Sequence, residues 1–516
     1  MTDLTIKFCS QIVLTSRRLI PILDPPNQGI RARQKGFFTS QGPIQPGFHG
    51  HHRKEEKMKN RLFRLFTLLF AAAVLFLPLC GQAAQTRIQA KNVILLIGDG
   101  MGPSQFGAAW IYSNRVLSRD LRMSELMKKG RTAYLVNDTA DAIVTESAAA
   151  AGQIATGQRM TARALSMAAD GKTPIKTIME MVKEKKLATG LVTTSGITDA
   201  TPAAFAAHVA HRSNEESVAD QELKFGVDVL MGGRKQFFLP ESAGGKRKDG
   251  RNLLEEAQKM GYTVAGTAEE LKAAPTGKLL GLFNMGNMSF EIDRAATQEP
   301  SLAEMARKTL QILSKNKGGF FAMIEGGRID HAAHRNDAPA TIRDTLAFDE
   351  AVGVAMDFVN KNPATLLIVT ADHETGGMAL IGHSKESKEY IGINLKAIEK
   401  ATASFEVMVG KWGKKPTPEM IKEDVKQSLG IDLTDDEART VADDAIKKLD
   451  PYNYGYNYLH SLGFVLRPYL RVGWGSQTHT ASPLFLFGSG PGSEKIGGLL
   501  HNTEVFTIMK AALRLK

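Results

Sequence analysis

The sequence predicts an α/β protein built on a central, mostly parallel sheet flanked by helices on both faces, with a mostly helical insertion. Two observations predict it. Short apolar runs of strand composition alternate along the chain with helical patterns, the order expected of βαβ units. Three of those runs also end in carboxylates and imidazoles: Asn92-Val-Ile-Leu-Leu-Ile-Gly-Asp99-Gly, Phe320-Phe-Ala-Met-Ile-Glu325-Gly-Gly-Arg-Ile-Asp330-His331-Ala-Ala-His334, and Leu366-Leu-Ile-Val-Thr-Ala-Asp372-His373. The carboxyl ends of buried strands are where open α/β sheets place their ligand crevice. With His479 downstream, these groups offer enough oxygen and nitrogen donors for more than one divalent ion. The pattern points to a metal-dependent hydrolase.

Strands are expected at Val93–Ile97, Thr132–Val136, Thr189–Thr194, Val227–Met231, Gly319–Ile324, Thr365–Thr370 and Pro483–Gly488. Helices are expected at Met123–Lys129, Ser147–Gln153, Pro174–Lys185, Pro202–His211, Leu302–Ser314 and Ala338–Asn360. The segment from about 385 to 466 differs in character. It is rich in Lys and Glu, carries helical stretches at Pro418–Leu429 and Asp435–Leu449, and then a patch of tyrosines at Tyr452–Tyr458. It is read as a helical insertion capping the sheet, its charged helices being solvated faces. No repeat period is visible.

The first 84 residues stand apart. Met58-Lys-Asn-Arg-Leu-Phe-Arg is basic, Leu65 to Cys80 is almost wholly apolar, and Gly81-Gln-Ala83-Ala84 is small, the order of a secretory signal. An uncleaved membrane anchor is the alternative; Pro78 and the small residues after it favour cleavage and no lasting anchor. Residues 1–57 are read as an overlong start ahead of Met58, or else as a disordered extension. Trimming them changes the charge argument. Of 65 basic and 54 acidic residues, nine and four precede Met58, and the signal holds three more basic ones. The remaining 53 basic and 50 acidic residues leave no excess that would recommend nucleic acid as a partner. Both cysteines, Cys9 and Cys80, fall in the trimmed region, which excludes thiolate ligands and a Cys nucleophile from the domain at 85–516.

Taken one at a time, the chemical residues also have ordinary readings. Asp99 between Gly98 and Gly100 makes a turn, or a carboxylate brought close to a metal or phosphate. Asp330 and His334, at i and i+4, share one face of a helical turn and can chelate one ion. Asp372 and His373 adjoin at a strand end, where Asp372 also reads as a cap. Ser147 opens an Ala-rich helix, as a cap or as a nucleophile favoured by the positive end of the helix dipole. Asp199-Ala-Thr201-Pro202 reads as a helix start with Thr201 at its N-cap. Arg212, one helix on, is suited to grip a phosphate with two donors, or sits on the surface.

Taken together, the motifs Asn92–Gly102, Val144-Thr-Glu-Ser-Ala-Ala, Asp199-Ala-Thr-Pro-Ala-Ala-Phe-Ala-Ala-His-Val-Ala-His-Arg212, Glu325 to His334, Ala371-Asp-His-Glu-Thr-Gly-Gly377 and His479-Thr480 resemble those of the bacterial alkaline phosphatases, in the family's order and across nearly all of the domain. The resemblance implies a phosphate monoesterase with two zinc ions and one magnesium. Asp330, His334 and His479 are implied to hold one zinc; Asp99, Asp372 and His373 the other. Asp99, Thr201 and Glu325 are implied to hold the magnesium, with Asp199 acting through water. Ser147 is implied as the nucleophile that becomes a phosphoserine, and Arg212 as the phosphate clamp. Substrates are implied to be small phosphate monoesters, the compartment periplasmic or secreted, and the assembly a homodimer.

Two positions depart from the best-known pattern. Glu146 stands where an Asp usually precedes the nucleophile, and His331, a substrate-binding position, stands where some relatives have Lys. A neutral His331 implies weaker phosphate retention and a higher pH optimum. Related chemistries fit less well. Ser147-Ala-Ala-Ala-Ala lacks the Pro and Arg of a sulfatase motif, phosphodiesterases commonly use Thr without a third metal, and a mutase has no use for a signal. A catalytically dead binding protein would not need the full set of ligands and nucleophile.

Overall fold

The computed structural model describes residues 88–385, 389–413, 415–447 and 460–516. The extension at 1–57, the signal-like segment at 58–84 and the patch Tyr452–Tyr458 lie outside them. Strands β1 (Asn92–Gly98), β2 (Arg131–Val136), β3 (Ala188–Gly196), β4 (Val229–Gly233), β5 (Thr263–Ala265), β6 (Leu279–Leu282), β7 (Phe320–Gly326) and β8 (Thr365–Ala371) precede the short β9 (Glu374–Thr375), β10 (Met378–Leu380), β11 (His383–Lys385) and β12 (Glu389–Ile391). After the helical segment come β13 (Val472–Trp474), β14 (His479–Thr480), β15 (Leu484–Ser489) and β16 (Gly498–His501).

Ten of these form one sheet in the order β16-β2-β15-β8-β1-β7-β3-β4-β6-β5. All neighbours are parallel except β15, which runs antiparallel to both β2 and β8. Strands β7 and β8 are buried along their whole length and β1 from Val93 onward. Burial on both faces explains why they read as continuous apolar runs rather than alternating ones. Adjacent residues of β7 show the two layers. Phe320 meets Phe358 of helix Ala338–Lys361 edge-on at 5.6 Å between ring centres, while Phe321 lies 5.8 Å from Phe205 of helix Ala200–Ala206. Successive strand side chains point to opposite faces, so these helices cover opposite sides of the sheet.

Each expected strand is present, its ends moved by no more than two residues. The short β5, β6 and β16 were not expected, since runs of three or four residues carry no periodic signal. Several helix boundaries are corrected: the helix expected from Pro174 begins at Ile178 after its Thr177 N-cap, and the one expected to end at Gln153 runs to Thr156. The helix expected to run from Pro202 to His211 ends at Ala206, because Ala207 is extended and Val209 pairs with Leu165 as an isolated bridge. Arg212 therefore sits on a loop, its peptide N–H donating to the Arg163 carbonyl. The same helix starts earlier than expected. Asp199, not Thr201, is its N-cap, and Thr201 lies inside the first turn.

Between β12 and β13, helices span Leu395–Lys400, Phe405–Trp412, Pro418–Leu429, Asp435–Lys447 and His460–Leu470. They bury Ile398, Phe405, Met408, Trp412, Ile421 and Val425. Polar contacts tie them to the rest. Asp337, fully buried, caps helix Ala338–Lys361 through the Ala340 N–H and also accepts the Phe405 N–H at 2.6 Å. Glu406 pairs with Arg328 and Arg335, on and just after the short helix Arg328–His334 that carries Asp330 and His334.

Removing the Phe321 ring should cost about 3–5 kcal/mol of stability through lost burial and the cavity left behind. Denaturant unfolding of Phe321→Ala measures it, and a loss below about 1 kcal/mol would contradict the two-layer packing at this position.

Candidate active site and metal centre

Strands β8, β1, β7, β3 and β4 are neighbours, and their carboxyl ends deliver the chemistry. Asp99 follows β1, Asp372 follows β8, Glu325 lies in β7 opposite Ile97 of β1, and Asp199 caps the helix after β3. The helix after β7 turns Asp330 and His334 to the same side. Its close approach to the end of β1 needs the glycine after Asp99: Gly100 has φ +69°, and a Cβ there would stand 2.8 Å from the Cα of Asp330. His479 arrives through a two-residue antiparallel pairing, opposite Thr375 of β9.

A cavity of about 620 Å³ opens here, its lining including Asp99, Ser147, Asp199, Arg212, His331 and His479. Ser147 is the first residue of helix Ser147–Thr156, every residue of which is buried. The N-cap is Glu146, which accepts the N–H groups of Ala148 and Ala149. Ser147 is thereby released from capping, and its Oγ lies 3.2 Å from Nε2 of His373.

The three imidazoles share one orientation. His334 Nδ1 faces the carbonyl of Gln477, and His479 Nδ1 faces the carbonyl of Thr145 at 3.0 Å. His373 Nδ1 is 3.2 Å from the hydroxyl of Thr375, whose own proton goes to Asp330. Each Nδ1 is thus the donor, and each Nε2 lone pair points into the site. There the lone pairs meet other electron-pair donors. Nε2 of His373 is 3.4 Å from Asp99 and 3.3 Å from Asp372; Nε2 of His334 is 3.3 Å from Asp330 and 3.1 Å from Nε2 of His479. Asp99 Oδ1, Asp372 Oδ2, Thr201 Oγ1 and Glu325 Oε2 are buried and have no hydrogen-bond partner among the described residues. Converging nitrogens and oxygens fit divalent cations. The ligand atoms of Asp330, His373 and His479 lie within 4.8 Å of one another, as do those of Asp99, Asp372 and His373, so the two groups share His373. The expected His334 joins the first through its contacts with Asp330 and His479. A serine-protease-like triad does not fit, because the carboxylates stand on the Nε2 side of His373 and a hydroxyl on the Nδ1 side.

Electrostatics agree. Burial, with Asp372, Asp330, Glu325 and Asp199 nearby, pushes Asp99 well above the ordinary carboxylate range. Burial and Asp330 push Asp372 up to about 7, and burial pushes Glu325 up to about 8. Asp330 moves the other way: burial would raise it, but His334 and His479 hold it well below the usual range. His334 rises in turn, its burial outweighed by Asp330 and the Gln477 carbonyl. Burial drives His373 down to about 4 and, with His373 beside it, His479 down to about 3.

On the opposite wall, Arg212 gives Nη1 to Glu146 at 2.8 Å and Nη2 to Asp199 at 2.7 Å. Glu146 reaches Arg212 while still capping the helix and accepting the Arg163 N–H at 2.8 Å. Burial would raise its carboxyl, but Arg212 and the three N–H groups hold it at about 2. His331 is pushed down to about 3 by burial and by Arg328, whose guanidinium donates to its Nδ1 at 2.9 Å. It is neutral, and its Nε2 lies 4.0 Å from Asp199. Several participants escaped the sequence reading. Thr375 and the carbonyls of Gln477 and Thr145 carry no type-specific signal. Arg234 does: it follows the glycines ending β4, the same strand-end position that marks Asp99 and Asp372.

The chain is similar to known proteins along most of its described length. Residues 90–515 match the family model described as alkaline phosphatase. Alkaline phosphatase 4 of Bacillus subtilis is 33% identical over 438 residues, covering 83% of this chain and 90% of that protein. Alkaline phosphatase of Escherichia coli is 30% identical over 474 residues, covering 83% and 87%. The crystal structure of Thermus thermophilus alkaline phosphatase superposes with a TM-score of 0.76 at 35% identity, covering 84% of this chain and 94% of that one.

Metal-free protein should lose stability as pH rises from about 4, where free carboxyls ionise, to the values near 7 and 8 at Asp372 and Glu325. Across that window the unfolded chain releases protons that the folded chain retains. Zinc added to chelated protein should therefore raise the melting temperature by at least about 5 °C at pH 8 and by less than half as much at pH 5. Equal shifts at both pH values would count against the carboxylate cluster as the binding site.

Proposed function

The chain belongs to the alkaline phosphatase family, and on that premise we propose a periplasmic or secreted phosphatase that cleaves many phosphate monoesters through a phosphoserine at Ser147. It is a phosphate monoester hydrolase by family. The observation that carries the finer reading is the placement of Ser147 Oγ beside the Nε2 of His373, among orphaned carboxylate oxygens, with Arg212 lining the same cavity. Two zinc ions, in the Asp330, His334 and His479 set and the Asp99, Asp372 and His373 set, and a magnesium among Asp99, Thr201 and Glu325 near Asp199, would ionise the serine hydroxyl and a water and offset charge on the attacking and leaving oxygens.

The chain's own residues do the rest. Arg212 directs a planar, fixed cation at the phosphoryl oxygens, held in aim by Glu146 and Asp199. Ser147 attacks phosphorus, the ester oxygen leaves with the alcohol, and the phosphoryl group rests on Oγ. Water then cleaves the phosphoserine and releases inorganic phosphate. The rigid, fully buried helix under Ser147 keeps Oγ in line throughout. His331, neutral and directed at Asp199, adds no full positive charge of its own. The proposed compartment rests on the basic, apolar and small-residue order of residues 58–84. Among the described residues no helix is long and apolar enough to cross a membrane.

An aryl phosphate monoester should be hydrolysed in preference to the matching diester, with the activity lost to a chelator. Ser147→Ala should lower it by at least about a thousandfold and abolish trapping of labelled phosphate on the protein. Preference for the diester, or label retained by Ser147→Ala, would overturn the reading.

A further inference from the structure

Arg234 is the most heavily tied side chain of the cavity that the reaction above leaves unused. It stands immediately after β4, with its backbone in the left-handed region at φ +59°. A non-glycine residue persists there only where its surroundings over-determine it. Its side chain explains how. Nε donates to Asn287 at 2.9 Å, Nη1 to Glu215 at 2.8 Å and Nη2 to Asp199 at 3.0 Å. Glu215 is braced in turn by the Thr198 hydroxyl at 2.7 Å. A Cβ at Gly196, the last residue of β3, would collide with the Arg234 side chain, so the strand end is shaped to admit it. The side chain is 12% exposed and lines the cavity that holds Ser147 and Arg212.

Its contact with Asp199 gives this anchoring a consequence. That carboxylate lies between two guanidinium groups, Arg212 on Oδ1 and Arg234 on Oδ2, with the Ser195 hydroxyl also on Oδ2. Arg234 is thereby fixed by three acceptors, whereas Arg212 must hold both Asp199 and substrate. With Arg234 present, Asp199 is oriented and its charge is shared. Without it, Arg212 becomes the guanidinium left to answer that charge and is drawn toward the carboxylate, away from the phosphoryl oxygens.

We propose that Arg234 is a positioning residue that sets how tightly Arg212 holds phosphate, acting through the Asp199 carboxylate that the two arginines share. This rests on the phosphatase reading, with Arg212 as the phosphate clamp.

The test measures binding of inorganic phosphate to the metal-loaded enzyme by calorimetry, beside kcat and KM for an aryl phosphate. Arg234→Ala should weaken phosphate binding about tenfold and raise KM in parallel, with kcat changing less than about twofold. Arg234→Lys, which keeps a cation near Asp199 but cannot bridge three acceptors, should fall between the two. In an Asp199→Asn background, Arg234→Ala should have no further effect on phosphate affinity. Unchanged affinity in a folded Arg234→Ala protein overturns the proposal. So does an undiminished loss in the Asp199→Asn background, which would mean direct contact with the ligand. Should the alanine variant not fold, Arg234→Lys decides: affinity weaker than wild type supports the proposal and wild-type affinity overturns it. Failure of the underlying reading looks different, because wild-type enzyme would then neither bind phosphate nor cleave the ester.

Discussion

Five carboxylates, those of Asp99, Asp199, Glu325, Asp330 and Asp372, are buried together at the carboxyl edge of one sheet, and the site is organised around their mutual repulsion. A parallel sheet with helices on both faces offers little water there, so each negative charge needs a nearby positive one or must remain protonated. The chain answers in two ways. Asp199 is met by the guanidinium groups of Arg212 and Arg234. Asp330 is met by His334 and His479. Asp99 and Asp372 share a single imidazole, that of His373, and with Glu325 retain oxygens that have no hydrogen-bond partner among the described residues. That imbalance makes the pocket a site for divalent cations rather than a folded-over polar core.

The same economy runs through the phosphate side. Glu146 does three things with one carboxylate: it caps the helix that presents Ser147, accepts the Arg163 peptide and holds Arg212. The proposed nucleophile and the proposed phosphate clamp are thereby referenced to a common group. The longer arm of Glu, relative to the Asp usual in the family, reaches all of these partners at 2.8 to 3.0 Å.

Much of this was legible in the sequence, and the reasons are physical. Strands β1, β7 and β8 announce themselves as unbroken apolar runs because both their faces are buried, and their last residues fall at the crevice because the strands are parallel. Asp330 and His334 share a face because their spacing matches a helical turn. Long-range pairing was not legible. Nothing in the residues near His479 shows that it will lie against Thr375, or that backbone carbonyls of Thr145 and Gln477 will fix imidazole tautomers. The helix expected to reach His211 failed for a similar reason. A single bridge between Val209 and Leu165 outweighs a run of good helix formers and turns Arg212 into the cavity.

Crystals of the protein grown with zinc, measured for anomalous scattering on either side of the zinc edge, examine this organisation most directly. Two peaks are expected, one among Asp330, His334 and His479 and one among Asp99, Asp372 and His373. Zinc ordered elsewhere on the chain, with those two donor sets lacking anomalous density, would mean that the buried carboxylates are neutralised by protons and that the site is not a metal centre.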